Sequence, residues 1–177
     1  ETMRSSWKAL LIFLMIFLSC TQESIKGKFR IMPLGDSITQ GKTPLTSYRY
    51  YLSEKLQSAD CEFEFVGSLY DGSAHEGHWG WRADSILQYI GDWVRTYDPH
   101  LVLIHLGTND LEHEKDAPID TVIRRTVRDV SHIIDTIRKN NENARIYVAE
   151  IIPHVFSISR DNFIAYNQEL RSMVLSK

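Results

Sequence analysis

The chain is expected to fold as an α/β domain, a parallel sheet covered by helices. Three observations predict it. Apolar runs of strand length alternate with amphipathic stretches of helical period, in the order β-α-β-α-β-α-β-α. The run Leu101-Val102-Leu103-Ile104-His105-Leu106 is apolar almost throughout, as a central parallel strand covered on both faces requires. Each of the two most apolar strand runs stops at a glycine, Gly35 and Gly107, where the backbone can turn sharply.

Residues 29–34 read as the first strand, closed by Gly35. Residues 47–56 place Tyr48, Tyr51, Leu52 and Leu56 at helical spacing. Residues 61–66 alternate strictly between wet and dry, which suits a strand at a sheet edge. Residues 67–81 form a long loop rich in Gly, His and Trp, a length and composition often put to functional use. A single helix is expected over 83–97, with Ile86, Leu87, Ile90 and Val94 on one stripe and Asp98-Pro99 ending it. Residues 101–106 are the central strand. The clearest helix covers 119–139, with Ile119, Val122, Ile123, Val127, Val130, Ile133, Ile134 and Ile137 on one face. A strand over 144–152 ends at Pro153, and a last helix covers 161–175 with Asp161 as its N-cap.

The length suits one domain, and 43% apolar residues supply a core. The formal charge is −3 with no long basic run, so nucleic acid is not an indicated partner. Low-complexity tracts and solenoid repeats are absent. Residues 1–20 read as a signal peptide: Arg4 and Lys8 precede the apolar run ALLIFLMIFL, which is far short of the ~20 residues that span a bilayer. Ser19-Cys20 behind that run resembles a bacterial lipoprotein signal, which implies lipidation at Cys20 and no contact with membrane beyond that anchor. Ordinary secretory cleavage and an uncleaved anchor are the alternatives, and every route exports the domain to the periplasm or cell surface. Residues 21–28 form a polar linker, and 29–177 the domain. Cys20 and Cys61 are the only cysteines, so a processed or lipidated Cys20 would leave a domain without a disulfide.

In a parallel α/β fold ligands sit beyond the carboxyl ends of the strands. Ser37, the 67–81 loop, Asn109 and His154 all follow strand ends, so they are expected on one rim. Three segments carry the chemistry: Gly35-Asp36-Ser37-Ile38-Thr39, Gly77-His78-Trp79-Gly80-Trp81-Arg82 and Gly107-Thr108-Asn109-Asp110. In this order they resemble the SGNH (GDSL-type) hydrolases, and the His/Gly/Trp loop with Tyr48-Arg49 looks most like the carbohydrate acetylesterase branch. The resemblance implies a three-layer, flavodoxin-like α/β/α fold. It makes Ser37 the nucleophile, and the Ser37 and Gly80 N–H groups with the Asn109 amide the oxyanion hole. Preorganised donors of this kind meet the charge that develops on an attacked carbonyl oxygen. Gly80 is expected to be glycine so that its N–H can approach substrate closely.

Trp79 and Trp81 offer flat faces for a sugar ring, and His154 a substrate contact on the same rim. Arg49 is expected in a structural ion pair, while Asp36 and Asp110 are expected to shape turns and helix starts. The family's Asp-x-x-His block, which follows a further strand, has no counterpart here, so the chain is expected to be a piece of a longer reading frame. Asp129-Val130-Ser131-His132 matches that block only as a string, because helical geometry points His132 away from the apolar stripe. His105 is expected as a satisfied core histidine. His75 and His78 could line the pocket, but lack a clean third metal ligand. No metal or cofactor is called for. The expected partner is an acylated polysaccharide or small ester. A lipase, lysophospholipase or thioesterase, or a non-catalytic glycan-binding module, are the competing functions.

Overall fold

The computed structural model describes residues 27–42, 47–113, 117–152 and 158–177. The chain runs β1 (Phe29–Gly35), α1 (Ser37–Gln40), α2 (Tyr48–Ser58), β2 (Phe63–Phe65), β3 (Leu69–Tyr70), β4 (Ala74–Gly77), α3 (Ala83–Leu87), α4 (Ile90–Tyr97), β5 (Leu101–His105), α5 (Thr108–His113), α6 (Ile119–Asn140), β6 (Arg145–Val148) and α7 (Arg160–Leu175). The strands lie in the order β3-β4-β1-β5-β6, with β2 also on β1. All pairings are parallel except the short β3–β4 hairpin. The expected mainly parallel sheet with flanking helices is what forms.

Alternation along β1 and β5 sorts their side chains into two cores. Met32, Leu34, Val102, Ile104 and Leu106 pack with buried residues of α3, α4, α6 and α7. Phe29, Ile31 and Leu101 pack on the other face with Leu56 of α2. Helices on both sides explain why these strands read as nearly unbroken apolar runs. The long helix α6 buries the expected stripe, with only Ile119 left partly exposed. The ring of Tyr166 on α7 lies against Gly107, and its hydroxyl donates to the Leu106 carbonyl at 2.8 Å. A Cβ on Gly107 would stand 2.4 Å from that ring, and its φ of +119° also calls for glycine.

Several local expectations need correction. The 67–81 loop contains β3 and β4, and β4 joins the same edge of β1 that β2 occupies further upstream. The helix expected over 83–97 is two helices. Gln88 and Tyr89 donate to carbonyls only three residues back, a tighter step that keeps Ile86, Ile90 and Val94 buried on one side. On α2, Tyr51 is 58% exposed rather than part of the buried stripe. Ser159, not Asp161, caps α7 by accepting from Asn162 N. Strand β6 spans only Arg145–Val148, and Ile151 is held instead by reciprocal hydrogen bonds with the Asn167 amide.

Cys61 is disulfide-bonded, which corrects the expectation of a domain without one. Cys20 itself, the signal segment and His154 lie outside the described residues. Among the described residues, no helix is long and apolar enough to cross a membrane.

Candidate active site

Strand register brings the three sequence segments together. Gly35, the last residue of β1, pairs with Gly77 at the end of β4 on one side and with His105 at the end of β5 on the other. Ser37 lies two residues beyond Gly35, Gly80 three beyond Gly77, and Asn109 four beyond His105, so all three sit past the carboxyl ends of adjacent strands. The ties between these ends are direct, one from a backbone N–H and one from a side-chain amide. His78 N donates to the Gly35 carbonyl at 2.9 Å, and the Asn109 amide donates to the Trp81 carbonyl at 2.8 Å.

Ser37 begins α1, a single turn. Asp36 caps it by accepting from Ile38 N at 2.9 Å, and Gly41 N closes it onto the Ser37 carbonyl. Burial drives the Asp36 carboxyl up to about 6, against the lowering effect of the Ile38 N–H. Asp110 is also raised to about 6, chiefly by burial, although both of its oxygens accept from Ala83 N at 3.2 Å. The carboxylates therefore do structural work at a turn and at the start of α3, as the sequence suggested.

Gly80 is in the left-handed region at φ +77°, and a Cβ there would meet no atom within 4 Å. Its conformation, rather than crowding by the protein, is what calls for glycine. Trp79 is 59% exposed, and Trp81 is partly buried in an aromatic cluster. Trp81 stacks on His78 at 4.2 Å between ring centres, and Trp93 stacks on both. Trp79 thus presents itself to solvent, while Trp81 serves packing.

The histidines have separate roles. His78 Nε2 is 2.9 Å from the buried Glu76 carboxylate. His75 accepts from Gly77 N through Nδ1, and burial, with Arg49 nearby, lowers its pKa. His132 is exposed on α6, as expected. His105 corrects the expectation of a satisfied core histidine: it is buried, and neither ring nitrogen has a hydrogen-bond partner among the described residues. Burial accordingly lowers its pKa. Among the described residues, no group of three or more His, Cys, Asp or Glu side chains is placed to hold a metal ion.

Arg49 is far more than the ion-pair partner expected. Almost fully buried on α2, it reaches the Thr39 and Gln40 carbonyls of α1, the Asp71 carboxylate and Ser73 of the β3–β4 turn. Its signal in the sequence was the Tyr48-Arg49 pair at the head of α2, behind the residue that proves to be its N-cap, Ser47.

Residues 34–175 match the GDSL-like Lipase/Acylhydrolase family. The chain belongs to that family. This GDSL-like chain is 31% identical over 158 residues to a multidomain esterase of Ruminococcus flavefaciens, covering 72% of the chain and 20% of the relative. It therefore spans about a fifth of that curated relative's length. A carbohydrate esterase family 3 structure from Talaromyces cellulolyticus superposes with a TM-score of 0.70 at 28% identity, covering 84% of this chain and 73% of the other. A family 3 carbohydrate esterase of Clostridium thermocellum gives 0.68 at 29% identity, covering 84% and 72%.

Proposed function

We propose that this GDSL-like chain is a serine esterase that removes acetyl or other short acyl groups from carbohydrate. The observation that carries the reading is the convergence of Ser37, Gly80 and Asn109 past three adjacent strand ends. In the proposed reaction, Ser37 Oγ bonds to the ester carbonyl carbon and its proton passes to a base. The carbonyl oxygen becomes an oxyanion held by the Ser37 and Gly80 N–H groups and the Asn109 amide. An amide group carries two hydrogens, so donation to the Trp81 carbonyl leaves one for the oxyanion. Collapse expels the sugar hydroxyl as it takes up a proton and leaves acylated Ser37, which water then hydrolyses to the free acid.

The family 3 carbohydrate esterase neighbours support the carbohydrate side of the reading. Exposed Trp79, next to Gly80, supplies a face on which a sugar ring can stack. Export accords with the apolar segment behind Arg4 and Lys8, and the disulfide at Cys61 suits an oxidising compartment. The test is labelling with a fluorophosphonate probe, with Ser37→Ala as control, followed by acetate release from acetylxylan beside 4-nitrophenyl esters of rising chain length. Label lost in the control, together with acetate release, supports the reading. A faster rate on long chains moves the protein to the lipases, and no label on Ser37 in a chain that carries the family's Asp-x-x-His block removes the enzyme reading.

A further inference from the structure

The oxyanion-hole segment is a turn in which Trp81 N donates to the His78 carbonyl at 3.2 Å, and His78 N to the Gly35 carbonyl at 2.9 Å. Trp79 and Gly80 lie between β4 and α3, with an exposed Trp79 side chain and open space around Gly80. The Trp79 backbone N–H nevertheless has a specific acceptor, the side-chain carbonyl Oε1 of Gln40, 2.9 Å away and 39 residues earlier in the chain. Gln40 is the last residue of α1, the turn that begins with Ser37. Its own backbone is fixed at both ends: Gln40 N donates to the Asp36 carbonyl at 3.0 Å, and the Gln40 carbonyl accepts from Arg49 Nη2 at 2.8 Å. Arg49 in turn is locked to Thr39, Asp71 and Ser73. A rigid framework therefore ends in one side-chain oxygen that holds the residue just before Gly80.

We propose that Gln40 is a positioning residue that sets the Gly80 N–H against Ser37 by holding the Trp79 backbone. The proposal rests on the esterase reading for its catalytic consequence. The Asn109 contact restrains the same segment from its other end, at Trp81. Between them, the two contacts bracket Gly80. An oxyanion donor acts only when it is already aimed at the position the charged oxygen will occupy. Loosening one bracket should therefore lower turnover more than substrate affinity.

The requirement is for an acceptor, which makes the test specific. Gln40→Leu keeps the size and removes the acceptor, whereas Gln40→Glu keeps an oxygen at the same reach. The Arg49 contact is to the Gln40 backbone, so neither change removes it. The full chain and both variants are compared by backbone amide exchange at Trp79 and by steady-state hydrolysis of 4-nitrophenyl acetate. In Gln40→Leu, Trp79 exchange is expected to rise about tenfold or more and kcat to fall roughly five- to tenfold, with KM nearly unchanged. Gln40→Glu is expected to restore Trp79 protection and most of kcat. Unchanged Trp79 exchange in Gln40→Leu overturns the proposal, as does a Gln40→Glu variant that behaves like Leu or a loss expressed only in KM. If the unaltered chain hydrolyses nothing, for want of the Asp-x-x-His base or because the esterase reading fails, Trp79 exchange alone decides the Gln40 contact.

Discussion

The Asn109 side-chain amide donates a 2.8 Å hydrogen bond to the Trp81 carbonyl. One residue on, the Asp110 carboxylate accepts from Ala83 N. Consecutive side chains at the start of α5 thus hold the segment from Trp81 to Ala83, just beyond Gly80. Asn109 is doubly placed, as a support for the segment and as a donor to the proposed oxyanion.

Asn109→Ala removes both roles. Its kcat on a short-chain 4-nitrophenyl ester is expected to fall about 10²- to 10³-fold, since one oxyanion donor is worth that much. Initial-rate kinetics beside a urea unfolding curve separate lost chemistry from lost fold. A rate within a few-fold of the parent would remove Asn109 from the oxyanion hole.

Two glycines in the left-handed region should respond differently to alanine. Gly80→Ala has room for the new methyl group, so the cost is conformational, about 1–2 kcal/mol of stability, with a larger effect on rate as the N–H turns away. Gly107→Ala drives a carbon into the Tyr166 ring as well, and should cost about 3 kcal/mol or more. Chemical denaturation of both variants tests the ordering, and equal losses would contradict it.

Arg49→Met takes one donor from the Asp71 carboxylate and from each α1 carbonyl, leaving His75 beside Asp71 and the Ser47 hydroxyl on the Thr39 carbonyl. A loss of about 2–4 kcal/mol is expected by urea unfolding, scaled down because Asp71 is partly solvated. Arg49→Lys should recover little of it, because an ammonium cannot reproduce a planar fork that spans α1 and the β3–β4 turn.

Asp36 and Asp110 carry raised folded-state pKa values of about 6, against 3.8 for the free side chain. A raised carboxyl binds its proton more tightly folded than unfolded. Its stabilising contribution is complete below about 3.8 and is lost as pH rises through about 6. His75 and His105, with lowered values, act in the opposite sense on acidification, so the parent alone is uninformative. The comparison is the change in unfolding free energy from pH 7.5 to 5 in the parent against Asp36→Asn/Asp110→Asn, which keeps the histidines constant. The parent should gain stability relative to the double variant, by about 1.4 kcal/mol for each carboxyl, since only the step from about pH 6 to 5 falls inside the window. No difference would show that the two groups are not perturbed.

The strand and helix order was legible because it rests on long apolar patterns, as in the 101–106 run and the stripe from Val122 to Ile137. The β3–β4 hairpin was not. Its strands are two and four residues long, polar at His75 and Glu76, and β4 exists because β1 offers it an edge. The break between α3 and α4 was equally hidden, since the apolar stripe crosses it in register.

Ser37, Gly80 and Asn109 could be named from the chain alone because their three segments, in order, resemble the blocks of the SGNH hydrolases. Sequence also carried the family and the solvent-facing position of His132. The contacts of Gln40 and Arg49 became visible only in three dimensions, because their partners include backbone groups 9 to 39 residues away. A backbone amide or carbonyl looks the same at every position in a sequence. Which one meets a given side chain is settled by packing and register, and the aim of the proposed oxyanion hole depends on those contacts.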